Sequence, residues 1–462
     1  MKLINKKKKI FIFIEHDIIV RNFIESKAFL RLEKDFNVHY IVPNILDNKF
    51  SINLENYKIK NIFKINISKK RLFIWKKLFY FYEFNFFKFF NKDFIKVLPL
   101  YFTNVGWKAI FIFSLLNLPI INSIYKTYLN RKLKFTESDE LKNLFITEKP
   151  DLIIHPTTLS GYFVNDGISI CNKLNIPHIF IMNSWDNPST KKSIASKPNK
   201  LLVWGKQTYN HAITYIKMNS MDVIKFGVPQ FEIYKKKPKI TKLQFRIQHN
   251  FSKNQKIILY AGVNRGKKEH EHLMILSNAI EQKIIPNYKI LYKPHPWGCM
   301  KETAKLIVEN KIKHVFPEKE SKKYLTSIAN GTNEKKFYMA SYKRTNDILK
   351  SVDLVISPLS TILLEAGLLG LPVLCIFPEE EQNSFFHKRL NKFPHFESLI
   401  KVNNIFFVYK KNELIIELKK IIKVSKNQYF SRELKNDLKF IVSNFEEMYS
   451  YRLSKLVSKL VK

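Results

Sequence analysis

A few short stretches of the 462-residue chain concentrate side chains able to do chemistry. The densest is Ser357-Pro358-Leu359-Ser360-Thr361-Ile362-Leu363-Leu364-Glu365-Ala366-Gly367. It follows an apolar run and puts Ser360 and Thr361 where a helix should begin. A helix start leaves backbone N–H groups unpaired and carries the positive end of the helix dipole, which suits phosphate. The two hydroxyls add donors, and Glu365, about one turn on, is placed to accept from ribose hydroxyls. The plainer alternative is that Ser360 only caps the helix. In Tyr292-Lys293-Pro294-His295-Pro296 two prolines fix the backbone at a strand exit, so that Lys293 and His295 can face one anion. In Asn264-Arg265-Gly266-Lys267-Lys268 a short basic loop follows a strand, and Arg265 and Lys267 are candidates to close over a diphosphate. A solvated charge run reads the same way.

Two loops in the first half hold candidate proton acceptors. Glu15-His16-Asp17 follows the first apolar run, and Ser184-Trp185-Asp186-Asn187-Pro188-Ser189-Thr190-Lys191 follows a later one. Glu15, His16, Asp17 and Asp186 are the candidates to activate an acceptor hydroxyl. The first strand of a doubly wound sheet lies centrally, which favours His16 or Asp17 over Asp186. Asp17 also suits the cap of a helix starting at Ile18, leaving His16 and Glu15 freer to act. Turn and cap chemistry is the alternative for both loops. No Asp-x-Asp pair stands in a crevice position, so neither a metal nor another cofactor is expected.

The elements that must position these residues alternate strand and helix. Ile10 to Ile14 is a buried-strand run, Val20 to Leu32 has helical spacing, and Val38 to Val42 is the next strand. That is a βαβ unit without a G-x-G-x-x-G loop. Strands are predicted at Asp151–His155, Ile179–Met182, Leu201–Trp204 and Val223–Gly227, with helices between. Pro229 and Lys235-Lys236-Lys237-Pro238 read as a linker. A second series has strands at Ile257–Tyr260, Lys289–Tyr292, Leu354–Ile356 and Val373–Ile376, then amphipathic helical sequence from Asn412. The expected fold is α/β: two Rossmann-like, doubly wound domains facing each other across a cleft. The boundaries are 1–235 for an acceptor domain and 236–462 for a nucleotide-donor domain. A segment at about 69–134 interrupts the first. It interleaves Lys with runs such as Phe86-Phe87-Lys88-Phe89-Phe90, and reads either as buried helices or as a surface that sits on a membrane.

Composition limits the classes. Hydrophobic residues are 45% and charged residues 26%, with 39 Phe and 21 Tyr, enough for a large core, which excludes a disordered chain. Three Cys exclude a disulfide scaffold and fit a reducing, cytoplasmic setting. The net charge of +40 attracts phosphates, anionic lipid and nucleic acid, although Lys, Ile, Asn and Phe are all abundant, as a coding bias toward A and T would make them. Lys6 to Lys9 precede too short an apolar run for a signal peptide, and Ala109 to Ile121 is too short to span a bilayer. The expected location is cytoplasmic, peripheral at the inner face of the plasma membrane if the aromatic segment touches lipid. No nucleic-acid recognition signature is present, and none is expected as a partner.

Lys293-Pro294-His295-Pro296, followed by Ser357-x-x-Ser360-Thr361 with Glu365 and Gly370-Leu371-Pro372-Val373, resembles the GT-B glycosyltransferases. The nearest in character are bacterial surface-polysaccharide enzymes: capsule- and polysialyl-type transferases and teichoic-acid glycerophosphotransferases. His295-Pro296 and Ser360-Thr361 match the paired motifs of the sialyl group, and the resemblance implies that they hold the donor's nucleotide phosphate. Trp185-Asp186-Asn187 and Val203-Trp204-Gly205 are similar to stretches in the wider group. The acidic base motif of the sialyl group has no clear counterpart; Asn165-Asp166-Gly167 is a poor match. The implied function is transfer of a sugar from a nucleotide-activated donor to a surface-glycan or lipid-linked acceptor. A non-hydrolysing nucleotide-sugar epimerase of the same fold is one alternative, and a non-catalytic, basic membrane- or nucleic-acid-binding protein is another.

Overall fold

The computed structural model describes residues 7–44, 61–74, 118–135, 137–190, 194–263, 268–296, 298–332, 341–381 and 393–461, with a few single positions between. The chain divides into two compact units. One comprises residues 1–232, 393–395 and 440–462; the other comprises 233–392 and 396–439.

The first unit is built on a parallel sheet of seven strands: β1 (Lys9–Phe13), β2 (Asn37–Asn44), β3 (Ile62–Asn66), β4 (Leu152–Thr157), β5 (His178–Met182), β6 (Lys200–Val203) and β7 (Val223–Lys225). Their order is β3-β2-β1-β4-β5-β6-β7. Ile10 to Phe13 of β1 and Leu152 to Ile154 of β4 are apolar at every position because both faces of the sheet are covered, as parallel sheets require. One face packs Ile10, Ile12, Ile154 and Ile181 with Phe23 and Phe29; the other packs Phe11, Phe13 and Ile153 with Leu141, Phe145 and Phe163. Among its helices are α1 (Pro119–Phe135) and α2 (Val164–Leu174).

The second unit has six parallel strands: β8 (Lys256–Ala261), β9 (Tyr288–Lys293), β10 (Val315–Pro317), β11 (Leu354–Ser357), β12 (Val373–Ile376) and β13 (Ile405–Val408). Their order is β10-β9-β8-β11-β12-β13. Helices α3 (Glu269–Glu281) and α4 (Thr361–Leu368) follow β8 and β11. In each sheet the chain builds outward from one central strand, then restarts on its other side. The reversal falls between β1 and β4 in one sheet and between β8 and β11 in the other. Such points open a crevice at the carboxyl ends of the strands, where ligands of doubly wound folds bind.

The final helix, α5 (Tyr449–Leu460), does not belong with the second unit, where the sequence boundary at 236 had put it. Tyr449, Leu453 and Val457 are buried in the core of the first sheet beside Ile10, Leu32 and Val38. Its apolar spacing of three to four residues has no partner face of its own, so it takes the one left beside β1 and β2. Among the described residues no helix is long and apolar enough to cross a membrane. The aromatic runs between Phe79 and Phe90 lie outside the described residues.

Candidate functional site

The strands that precede the three motifs of the second half end together. Ala261 is in register with Lys293, and Ile356 with Tyr260, so β8, β9 and β11 finish at one level. Adjacent strands are about 4.8 Å apart, so the ends of β9 and β11 are separated by roughly 10 Å. Ser357 Oγ donates to the Ala261 carbonyl at 2.8 Å and lies 2.9 Å from Ser360 Oγ. Ser360 is therefore not the helix cap that its type suggests. Its backbone is extended at the N-cap position of α4, and its side chain makes no capping hydrogen bond. The dipole end of α4 is left open toward the strand ends, with Thr361 in its first turn.

On β9, Gly262 N–H ties to the Lys293 carbonyl at 2.9 Å. Tyr324 hydroxyl and Gly298 N–H both donate to the His295 carbonyl, at 3.3 Å each. The backbone after β9 is thus fixed by neighbours as well as by the two prolines. Burial, with Lys293 close by, pulls the His295 imidazole down to about 4. At neutral pH it is an uncharged hydrogen-bonding ring, and the positive charge of this motif is that of Lys293. Arg265 and Lys267 lie outside the described residues.

Sequence reasoning missed Glu269, at the start of α3. Glu269 is buried; it accepts from Val263 N–H at 2.9 Å and from the Tyr292 hydroxyl at 2.6 Å. Burial pushes its carboxyl up. A side chain at Gly262 would put its Cβ 2.8 Å from the Glu269 carboxylate. The close approach of backbone to carboxylate explains the glycine directly after β8. The helical pattern of α3 did mark Glu269 as a first-turn residue, but nothing local says that it turns inward. A second buried pair, Glu318 and Arg344, braces the end of β10, with Nε to Oε1 at 2.9 Å. Glu365 is buried too, and its carboxylate accepts from the Tyr234 hydroxyl.

The first unit treats its candidates differently. Glu15 is 1% exposed and does not stand free at the strand end, as its sequence position had promised. It accepts from Tyr162 N–H at 2.7 Å, from Phe163 N–H at 2.8 Å and from His155 Nε2 at 2.9 Å. Those two amides lead into α2, and Gly161 beside them leaves the space that the carboxylate fills. Asp17 is not the cap of a helix starting at Ile18: the short helix Asp17–Ile19 begins with it, His16 holds the cap position, and the Asp17 carboxylate accepts from Ile18 N–H at 2.7 Å. His16 is half-buried, its ring 5.5 Å from that of Tyr162. Asp186 heads the turn Asn187–Thr190: Thr190 Oγ1 donates to its carbonyl at 2.8 Å and to its carboxylate at 3.3 Å. Asp166 is buried against Arg71. Trp185 packs edge-on to His395, which the three-residue return at 393–395 brings into this unit.

No family model matches the chain, and no curated protein matches its sequence. Solved structures do match in shape. UDP-GlcNAc 2-epimerase from Neisseria meningitidis, bound to UDP-GlcNAc, aligns with a TM-score of 0.56 at 13% identity over 98% of this chain and 99% of that one. UDP-GlcNAc 2-epimerase from Methanocaldococcus jannaschii aligns at 0.52 and 13%, over 97% and 99%. A variant of the wall teichoic acid polymerase TagF aligns at 0.51 and 12%, over 98% and 89%. With two parallel, doubly wound sheets in one chain, the likeness makes this a protein of GT-B fold with two Rossmann-like domains.

Proposed function

We propose that the chain is a glycosyltransferase that takes a sugar from a nucleotide-activated donor and passes it to a surface-glycan or lipid-linked acceptor. The observation that supports this reading is that β8, β9 and β11 end at one level beside the reversal point of the second sheet, with Lys293 and His295 after one strand and Ser360 at the start of α4, which has no side-chain cap, after another. Donors, a cation and a helix dipole at one end of a sheet suit a phosphate that gains charge as its bond to the sugar breaks. Lys293 supplies the charge, His295 and the hydroxyls hydrogen bonds, and Glu365 a contact to ribose. The first domain supplies the acceptor side, with His16 as proton acceptor.

Ser360→Ala with Thr361→Ala is expected to weaken nucleotide binding by about 1–3 kcal/mol, roughly 5- to 150-fold. Calorimetric titration with nucleoside mono- and diphosphates checks this, and an unchanged affinity would remove the site.

A second reading is favoured by the shape likeness to structures named as UDP-GlcNAc 2-epimerases. The two separate in one assay. A transferase releases nucleotide from its donor faster when an acceptor is added. An epimerase interconverts the sugar of a nucleotide sugar with no acceptor present.

A further inference from the structure

We propose that Glu269 is a positioning residue for the nucleotide: it holds the exit of β9, and with it Lys293, against the exit of β8. The inference rests on the nucleotide site proposed above. Two links join these exits. The first is direct, from Gly262 N–H to the Lys293 carbonyl at 2.9 Å. The second runs through the carboxylate of Glu269. Val263 N–H, after β8, donates to Oε1 at 2.9 Å, and the Tyr292 hydroxyl, on β9, donates to Oε2 at 2.6 Å. The same hydroxyl lies 3.2 Å from Cys299 Sγ, which ties the turn after β9 back to the strand it left. Lys293 and His295 stand in sequence between those two anchors, Tyr292 and Cys299.

The chemistry at position 269 is specific. The two donors reach different oxygens, and among side chains of this length only Glu offers two acceptor oxygens. It does so at a cost. Burial pushes its carboxyl up, while the Tyr292 hydroxyl, the Val263 amide and His272 pull the other way. Among the described residues no Lys or Arg pairs with it. An enclosed carboxylate without a bonded cation lowers stability, and groups held at such a cost gather at functional sites. The helix that carries it is fixed where it begins. His272, one turn on, has Nδ1 2.8 Å from the Tyr260 hydroxyl of β8 and Nε2 2.9 Å from the Glu381 carboxylate that follows β12. Lys411, which follows β13, pairs with Glu271 and, at 3.2 Å, with Glu381. The start of α3 is therefore bonded to four strands or their exits, and Glu269 is the member that reaches the strand of Lys293.

The test is calorimetric titration of the full chain with UDP, CDP, ADP and GDP, the nucleotide that binds the parent most tightly being carried through the variants. Lys293→Ala and Glu269→Ala are each expected to weaken binding by about tenfold or more. Glu269→Gln should recover most of that loss: its oxygen accepts from Val263 N–H, and its amide donates to the Tyr292 oxygen while that hydroxyl turns to Cys299. Because Glu269 acts through Lys293, adding Glu269→Ala to Lys293→Ala should cost only about threefold or less. Thermal unfolding reports whether the variants fold; if Glu269→Ala does not, Tyr292→Phe, which removes only the hydroxyl, makes the same comparison. A loss in Lys293→Ala without one in Glu269→Ala, or two losses that multiply in the pair, overturns the positioning role and leaves the nucleotide site standing. Parent-like binding by Lys293→Ala, or a parent that binds none of the four, overturns the site and the proposal with it.

Discussion

Glu15→Ala is expected to destabilise the first domain by about 3–5 kcal/mol, the scale of opening a buried, fully bonded charge site. The carboxylate is completely enclosed. Burial pushes its pKa up, but His155 beside it, His16 and the Phe163 amide outweigh that and hold the group below its ordinary 4.5. It is therefore an anion at neutral pH. Its removal would strand His155 Nε2 and two amides that have no water to turn to. A lowered folded pKa means that the contribution is complete above 4.5 and is lost as pH falls through the folded value. Chemical denaturation of the variant, followed at neutral pH and again near pH 4, checks both parts. Parent-like stability in Glu15→Ala would show that the cluster is not what holds β1 to α2. In the first domain a carboxylate occupies the two amides that lead into α2, whereas the start of α4 in the second has no side-chain cap, which supports the proposed placement of phosphate there.

His16→Ala is expected to cut turnover by about a hundredfold or more at saturating donor, with nucleotide affinity unchanged. Glu15 is sealed, which leaves His16, Asp17 and Asp186, all half-buried; Asp17 accepts from Ile18 N–H and Asp186 from the Thr190 hydroxyl. His16 follows β1, next to the reversal point, and is the proposed proton acceptor. Imidazole is the side chain suited by type to exchanging a proton under physiological conditions. The measurement is the rate of nucleotide release with acceptor present for His16→Ala, Asp17→Asn and Asp186→Asn, each first shown to bind nucleotide. If His16→Ala turns over normally, the proton goes elsewhere, and a large loss in Asp186→Asn alone would move the assignment to that turn.

The central strands of both sheets were legible because burial on both faces writes them as unbroken apolar runs, such as Ile10 to Ile14 and Val373 to Ile376. The strands missed, β3, β10 and β13, are all sheet edges. β3 reads Ile62-Phe63-Lys64-Ile65-Asn66, half exposed, and β10 has only three residues. An edge strand buries less and so prints a weaker pattern. The residues proposed to bind phosphate were legible by their place after strands. Glu269 and Glu318 were not, since a carboxylate that turns inward to brace a loop looks in sequence like any solvated one. Glu15 was visible but misjudged: only the fold brings His155 and the Tyr162 amide to it, from more than a hundred residues away.

The return of α5 to the first core sets an order of events during synthesis. The first domain emerges from the ribosome with Ile10, Leu32 and Val38 still lacking the cover that Tyr449, Leu453 and Val457 give them. Roughly 200 residues separate position 232 from position 440, and at about 5–20 residues per second their translation takes some 10–40 seconds. Through that interval the second domain can close around its own sheet while the first waits with an apolar groove open. A nascent chain arrested before residue 449 should therefore engage chaperones through its first domain, and the half of the molecule that is made first becomes native last.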